Sequence, residues 1–179
     1  MSARGSLGAG AWARSEYMPI LFRSCFGLGA VPSDLPVCSF GFVYSSLTDT
    51  SKPVRWLPVD TTAQVLLKQT FIRREDAQID YYHLENPTQT PWSTIADRIS
   101  KHKGASLQQI PLKQWIAKVR EHGLEGAEKV PAIRLVEFFE NMQSTPGMDI
   151  SNTLTIAPEV DHGTVSPDLI ERYLDYQNL

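Results

Sequence analysis

Apolar residues along this chain recur at helical spacing more often than at strand spacing, and most predicted elements follow from that. In "SEYMPILFRSCFGLG", Met18, Leu21, Phe22 and Cys25 share one helical face; Pro19 is tolerated in the first turn, and Gly27 or Gly29 ends the helix. "VRWLPVD" predicts a strand, and Asp60 is placed to cap the following helix, whose inner stripe is Ala63, Leu66, Leu67 and Thr70. "QIDYYHLEN" alternates as a second strand, with Tyr81, His83 and Glu85 on one side and Tyr82 and Leu84 on the other.

Four more helices are predicted downstream. In "TPWSTIADRISKHKG", Thr90 caps, Pro91 takes the first helical position, Gly104 stops the helix, and Trp92, Ile95, Ala96 and Ile99 face inward. "SLQQIPLKQWIAKVREHG" gives a short strand and then a helix between Pro111 and Gly123 that buries Leu112, Trp115, Ile116 and Val119. "VPAIRLVEFFENM" buries Leu135, Phe138, Phe139 and Met142, while Ser166 and Pro167 open a last helix anchored by Ile170, Tyr173 and Leu174. Strand and helix alternate, so the class is α/β, helix-rich with few short strands. Three or so short strands cannot complete a doubly wound sheet. The architecture reads as an incomplete Rossmann-type part.

Composition narrows the class without naming a chemistry. The 179 residues suit one domain or one lobe of a larger one, taken here as a single unit over 1–179. With 42% hydrophobic and 21% charged residues, the chain is of the globular type, and its apolar runs are too short to cross a bilayer. The cytosol is the default compartment. Arg4 and Arg14, with no acid in the first fifteen residues, suggest a transit peptide, but "MSARGSLGAGAW" lacks a clear apolar face and is read as a flexible segment. Cys25 and Cys38, at unrelated spacing, fit two reduced thiols better than a disulfide. His83, His102, His122 and His162 form no metal-ligand pattern, and Gly123 and Gly126 make "EHGLEGAE" a solvated loop.

The net charge of −3 hides an asymmetry. Between Arg98 and Arg120 lie six basic residues and no acid: Arg98, Lys101, Lys103, Lys113, Lys118 and Arg120. From Glu137 onward there are eight acids, opposed only by Arg172. The window is too short, and too poor in stacking aromatics, for a nucleic-acid surface. It is either the solvated face of two helices or a docking surface for an acidic partner.

Catalytic motifs are missing. A dinucleotide site needs glycines at a strand-to-helix turn so that pyrophosphate reaches backbone N–H groups. Gly5, Gly8 and Gly10 have no strand before them, and "FGLGAV" follows a helix. None of the six tyrosines has a lysine four residues later, the pair a short-chain reductase uses for proton transfer. There is no Gly-x-Ser-x-Gly elbow and no phosphate loop.

Taken in order, "GAW", "YMPILFRSCFGLGAVP", "VRWLPVD", "YYHLENPTQTPWSTI", "IPLKQWIAKVR" and "VPAIRLVEFF" resemble the C-terminal half of thioester reductase domains. These domains belong to the extended short-chain dehydrogenase/reductase family and end many fungal non-ribosomal peptide synthetase-like enzymes and adenylate-forming reductases. The final "SNTLTIAPEVDHGTVSPDLIERYLDYQNL" resembles the family's ending. The resemblance implies a substrate lobe that follows an NADPH-binding half, with a phosphopantetheine carrier domain as partner. It implies that Trp12, Tyr17 and Trp56 either line an acyl channel or pack the core, that "LPVD" returns the chain to the cofactor half, and that His83 lies near that half as a satisfied core histidine. It assigns no catalytic residue and no metal ligand to this chain.

Two departures stand out. Ala13 follows the tryptophan of "GAW" where the family has asparagine, and residues 35–52 intervene where the family has a short link. That insertion is either an edge strand with Val37, Ser39, Gly41 and Val43 on one face, or translated intron. Three functions follow: the C-terminal part of a thioester reductase, a non-catalytic module binding an acyl group or a partner, and an isomerase-like relative.

Overall fold

The computed structural model describes residues 10–36, 53–72, 80–143, 148–158 and 165–179. Among them, helix α1 (Tyr17–Leu28) and strand β1 (Ala30–Pro32) precede strand β2 (Pro53–Val54) and helix α2 (Val59–Thr70). Strand β3 (Thr90–Pro91), helix α3 (Trp92–Lys101), strand β4 (Gln108–Ile110) and helix α4 (Leu112–Glu121) follow. The chain continues with α5 (Val136–Glu140), α6 (Ser151–Ile156) and α7 (Pro167–Tyr176). β1 pairs parallel with β4, Ala30 opposite Gln108, and β2 pairs antiparallel with β3, Val54 opposite Thr90.

The main core is built by α1, α3, α4 and α7 around the β1–β4 pair. On α1, Met18, Leu21, Phe22 and Cys25 are fully buried, as the periodicity predicts. Gly29 ends the helix at φ 67°, returning its N–H to the carbonyls of Cys25 and Phe26, and the chain enters β1 directly. Gly27 has no room for a side chain, since a Cβ there would stand 2.3 Å from the Lys129 carbonyl oxygen. Trp92, Ile95, Ala96 and Ile99 of α3, and Leu112, Trp115, Ile116 and Val119 of α4, are all buried as expected. Ile170, Tyr173 and Leu174 of α7 are buried too, and the Ser166 hydroxyl accepts the Leu169 N–H at its start.

Two indoles close one edge of the small sheet. The Gln108 N–H donates to the Gly29 carbonyl at 3.0 Å, and the Ser33 N–H to that of Ile110 at 2.7 Å. Successive carbonyls along a strand point to opposite edges, so those of Ala30 and Pro32 face away from β4. Trp115 Nε1–H donates to Ala30 at 3.1 Å and Trp92 Nε1–H to Pro32 at 2.8 Å. A further strand on that side would have to displace both. Among the described residues the sheet stops at β1.

Several expectations are corrected. Gly10–Trp12, expected in a flexible segment, belong to the core: the Trp12 carbonyl accepts the Gln177 side-chain N–H at 2.8 Å, and a Cβ on Gly10 would overlap the Arg172 carbonyl. The "VRWLPVD" ladder is confined to Pro53–Val54, with an isolated bridge at Leu57. α2 then begins at Val59, so Pro58 holds the cap position and Asp60 lies inside the first turn, where its charge favours the helix dipole without capping. Ala63, Leu66, Leu67 and Thr70 point outward, whereas Thr61, Thr62 and Val65 are buried. The small cluster of Leu57, Val65, Leu84 and Ala157 sets that rotation, together with the Thr62 hydroxyl on the Pro58 carbonyl at 3.0 Å. Helical spacing shows that a helix has an apolar face, not what covers it.

Residues 80–86 form no strand. Leu84, Glu85 and Asn86 are buried in succession, which alternation forbids, and side chains rather than a ladder satisfy the backbone: Thr153 Oγ1 donates to the His83 carbonyl and Asn152 Nδ2 to that of Tyr81. His83 is exposed and bonded to the Asp149 carbonyl at 2.9 Å, satisfied but outside the core. The predicted helix from Val130 is a 3₁₀ turn, Pro131–Leu135, followed by α5. The break rotates the register, so Phe139 is buried while Phe138 is 45% exposed. Residues 37–52, with Cys38 and the suggested edge strand, lie outside the described residues. Of the insertion, Leu35 is described and packs into the core.

Candidate functional site

One face of α4 borders a groove of about 920 Å³. Its floor is apolar, built from Leu35, Ile116, Phe139 and Met142. Asp34 and the α4 terminus are fixed to one another, because the Asp34 carboxylate accepts the Leu112 N–H at 2.7 Å. A residue 78 positions away thus supplies the helix cap that Pro111 cannot. Arg120 and Glu140 bridge α4 to α5 on the rim, with guanidinium-to-carboxylate distances between 2.7 and 2.9 Å. Lys113 is the other rim cation. Such a surface can hold a hydrocarbon or aromatic chain by its floor and an anionic or polar head at its rim.

Among the described residues, no serine, threonine or cysteine lines the groove. Cys25 is a free thiol fully buried in the core, and burial pushes its pKa up, only partly offset by the neighbouring Trp115 indole. Its thiolate is therefore inaccessible on both counts. Among the described residues, no three His, Cys, Asp or Glu side chains come together as a metal site.

The expected substrate-binding residues lie elsewhere. Trp12 and Trp56 are brought together at 5.2 Å between ring centroids, edge to face, with Phe22 and Tyr173 also against Trp12. Both tryptophans are buried in the main core. Tyr17 is half-buried and stacks obliquely on Phe138 at 5.3 Å. None of the three lines the groove.

The basic window is divided. Arg98 pairs with Glu171 at 3.3 Å and Lys103 with Asp175 at 3.0 Å, so α7 neutralises the α3 side. Lys101 pairs with Asp97 at 2.7 Å on its own helix, and Arg120 with Glu140. Buried His102 ties the same elements, its Nδ1 to Glu171 and its Nε2 to the Leu179 carbonyl oxygen at 3.1 Å. Lys113 and Lys118 remain on α4, Lys113 exposed at the groove and Lys118 half-buried. The acidic end thus pairs with three of the six cations, Arg98, Lys103 and Arg120.

Among the described residues, neither the turn at Gly29 nor Gly10 is shaped for a pyrophosphate. The Gly29 turn runs from helix to strand, the reverse of a pyrophosphate turn, and the space at Gly10 is filled by the backbone of Arg172.

Sequence reasoning marked Lys113 and Arg120 but read Ile116 and Phe139 only as core and missed Glu140 and the Asp34 cap. A helix position with an apolar side chain looks the same in sequence whether it faces a core or a cleft.

No protein-family model matches the chain. It is 28% identical over 184 residues to a 3-methylorcinaldehyde synthase from Talaromyces stipitatus, covering 96% of this chain and 6% of that protein. It is likewise 28% identical over 138 residues to a carboxylic acid reductase from Neurospora crassa, covering 73% of this chain and 12% of that protein. The terminal R domain of the myxalamid PKS-NRPS pathway superposes with a TM-score of 0.72 at 17% identity, over 97% of this chain and 41% of that one. The chain has the fold of part of a terminal reductase domain. A thiolation–reductase di-domain from an archaeal non-ribosomal peptide synthetase gives a TM-score of 0.64 at 14% identity, over 99% of this chain and 34% of that one. The resemblance to thioester reductase domains read from the sequence therefore holds, as does the helix-rich α/β class with few short strands. The chain spans only a small part of the curated relatives and less than half of the solved reductase chains.

Proposed function

We propose that this chain is the substrate-side part of an NADPH-dependent thioester reductase, which releases an acyl chain from a carrier domain in cytosolic secondary-metabolite biosynthesis. The observation that carries this reading is the superposition of 97% of the chain onto a terminal R domain. The apolar groove beside α4 is the acyl site, and its rim cation Lys113 meets the phosphate-bearing arm of the carrier. NADPH, held by a cofactor-binding part, would supply hydride to the thioester carbonyl carbon, and the pantetheine thiolate would leave and take its proton from that part or from water. The described residues of this chain bind and orient the acyl group and contribute no catalytic acid or base. Two relatives named for an aldehyde product support release as an aldehyde.

The test is the affinity of the chain for an aromatic acyl-pantetheine thioester, measured by calorimetry. Ala117 is exposed on the groove wall, so Ala117→Glu leaves the fold intact and puts a charge against the apolar floor. A loss of at least tenfold is expected. Equal affinity in both proteins would remove the groove as the acyl site.

A second reading, a binding module without turnover, is favoured by one fact. The ionisable groups lining the groove are committed in part to structure, Asp34 to a helix end and Arg120 and Glu140 to each other.

A further inference from the structure

The groove beside α4 has two polar ends that differ in kind. Leu112, Lys113, Ile116, Ala117 and Arg120 line it from one face of the helix, at the spacing that keeps side chains in register over two turns. Lys113 and Arg120 therefore stand at opposite ends, about 10 Å apart along the helix axis. The apolar floor, with Ile116 and Phe139, lies between them. Among the described residues Lys113 meets no carboxylate, so its ammonium is a mobile point charge.

Arg120 is the opposite case. Its Nε–H donates to Glu140 Oε1 at 2.9 Å, and its Nη2 donates to Oε1 at 2.7 Å and to Oε2 at 2.8 Å. That fork fixes the guanidinium plane and leaves the pair without net charge. It exhausts neither partner. Among the described residues Nη1 bonds nothing and Oε2 accepts a single bond, although a guanidinium has five N–H donors and a carboxylate oxygen two lone pairs. One donor group and one acceptor thus remain at the end of an apolar groove, on a side-chain pair held in one orientation. A hydroxyl both accepts and donates, so it can use both. A methyl group uses neither, a keto oxygen uses the donor alone, and a carboxylate meets the charge of Glu140.

We infer that Arg120, held by Glu140, selects acyl groups that carry a hydroxyl at the end far from the carrier. The arm enters past Lys113, the hydrocarbon lies on the floor, and the hydroxyl meets the ion pair. This inference rests on the acyl-site reading above and adds to it the residues that set specificity. The pair touches no reacting atom in this arrangement; it decides which acyl group stays bound.

The test is calorimetry with three pantetheine thioesters, those of biphenyl-4-carboxylic acid and of its 4′-hydroxy and 4′-carboxy analogues. The biphenyl is a rod, so the 4′ group is held far from the thioester and cannot fold back. The parent chain is expected to bind the hydroxy probe about fivefold tighter than the unsubstituted one, and the carboxy probe no tighter than the unsubstituted one. Arg120→Met keeps an apolar stem and should bring the hydroxy and unsubstituted probes to within about twofold. Glu140→Ala frees the guanidinium and should make the carboxy probe the tightest of the three. A merely structural role for the pair would weaken all three probes together and leave their order unchanged. Equal binding of the hydroxy and unsubstituted probes by the parent, or one order of affinity in all three proteins, overturns the inference. Ala117→Glu separates its failure from that of the acyl site. If Ala117→Glu weakens the unsubstituted probe and the parent shows no hydroxyl preference, the acyl site stands and this inference falls. If Ala117→Glu weakens none of the probes, both fall.

Discussion

Trp92 donates its indole N–H to the carbonyl of Pro32, 60 residues earlier, at 2.8 Å, and both residues are buried. Trp115 does the same for Ala30 from a different helix. Trp92→Phe keeps most of the packing and orphans a buried carbonyl, so a loss of about 1–3 kcal/mol is expected. Urea unfolding measures it. A Trp92→Phe protein as stable as the parent would show that water reaches Pro32 and that the edge is not closed.

Gly27 and Gly29 make different demands. A methyl group at 27 meets the Lys129 carbonyl at 2.3 Å, whereas at 29 it meets nothing within 4 Å but must adopt φ 67°. Gly29→Ala should cost about 1–2 kcal/mol, the strain of a left-handed residue. Gly27→Ala forces α1 away from the Pro131–Leu135 turn and should cost about 1–3 kcal/mol, the range for overpacking. It should also loosen the Ser24 hydroxyl from the Ala132 N–H, now at 2.9 Å. Slower amide exchange at Ala132 in Gly27→Ala than in the parent would contradict this.

The buried thiol gives stability a pH dependence. Burial raises the Cys25 pKa in the folded state, while in the unfolded chain it ionises at about 8.5. Its contribution is complete below that value and is lost as pH rises above it, because only the unfolded state releases the proton. Tyr173, raised by burial first and by Asp60 second, adds to the loss from about pH 10. Cys25→Ala should therefore flatten the fall in stability between about pH 8.5 and 10. An unaltered slope would point to other groups.

On α4, Arg120 is taken by Glu140, and among the described residues Lys113 and Lys118 meet no carboxylate. Lys103→Glu faces Asp175 and should destabilise by less than about 1 kcal/mol, as exposed pairs do. Lys113→Glu with Lys118→Glu should slow association with an acidic acyl-carrier domain at low salt, the difference fading as salt is added. Stopped-flow fluorescence reads this, and identical rates at low salt would leave the window as a solubilising face.

What the sequence made legible follows a physical divide. The buried faces of α1, α3, α4 and α7 were readable because apolar residues alternate with polar ones at helical spacing and a single core lies against each. On α2 the same spacing was visible, but Leu66 and Leu67 face outward and the small cluster around Val65 takes the other side. Around Leu84 to Asn86, the deciding contacts are side chain to backbone across distant segments, such as Asn86 Nδ2 to the Trp56 carbonyl at 3.0 Å. No local pattern encodes those. The groove was hidden for a related reason: Ile116 and Phe139 have core-like spacing, and the Asp34 cap joins positions 78 residues apart.

The central claim is that this chain completes a thioester reductase whose cofactor is held elsewhere. The most direct measurement is the rate of NADPH consumption on an aromatic acyl-pantetheine thioester, with the chain alone, a reductase cofactor-binding part alone, and the two together. The account predicts consumption only in the mixture, with an aldehyde as product. Consumption by the chain alone, or none in a mixture shown to associate, would contradict it.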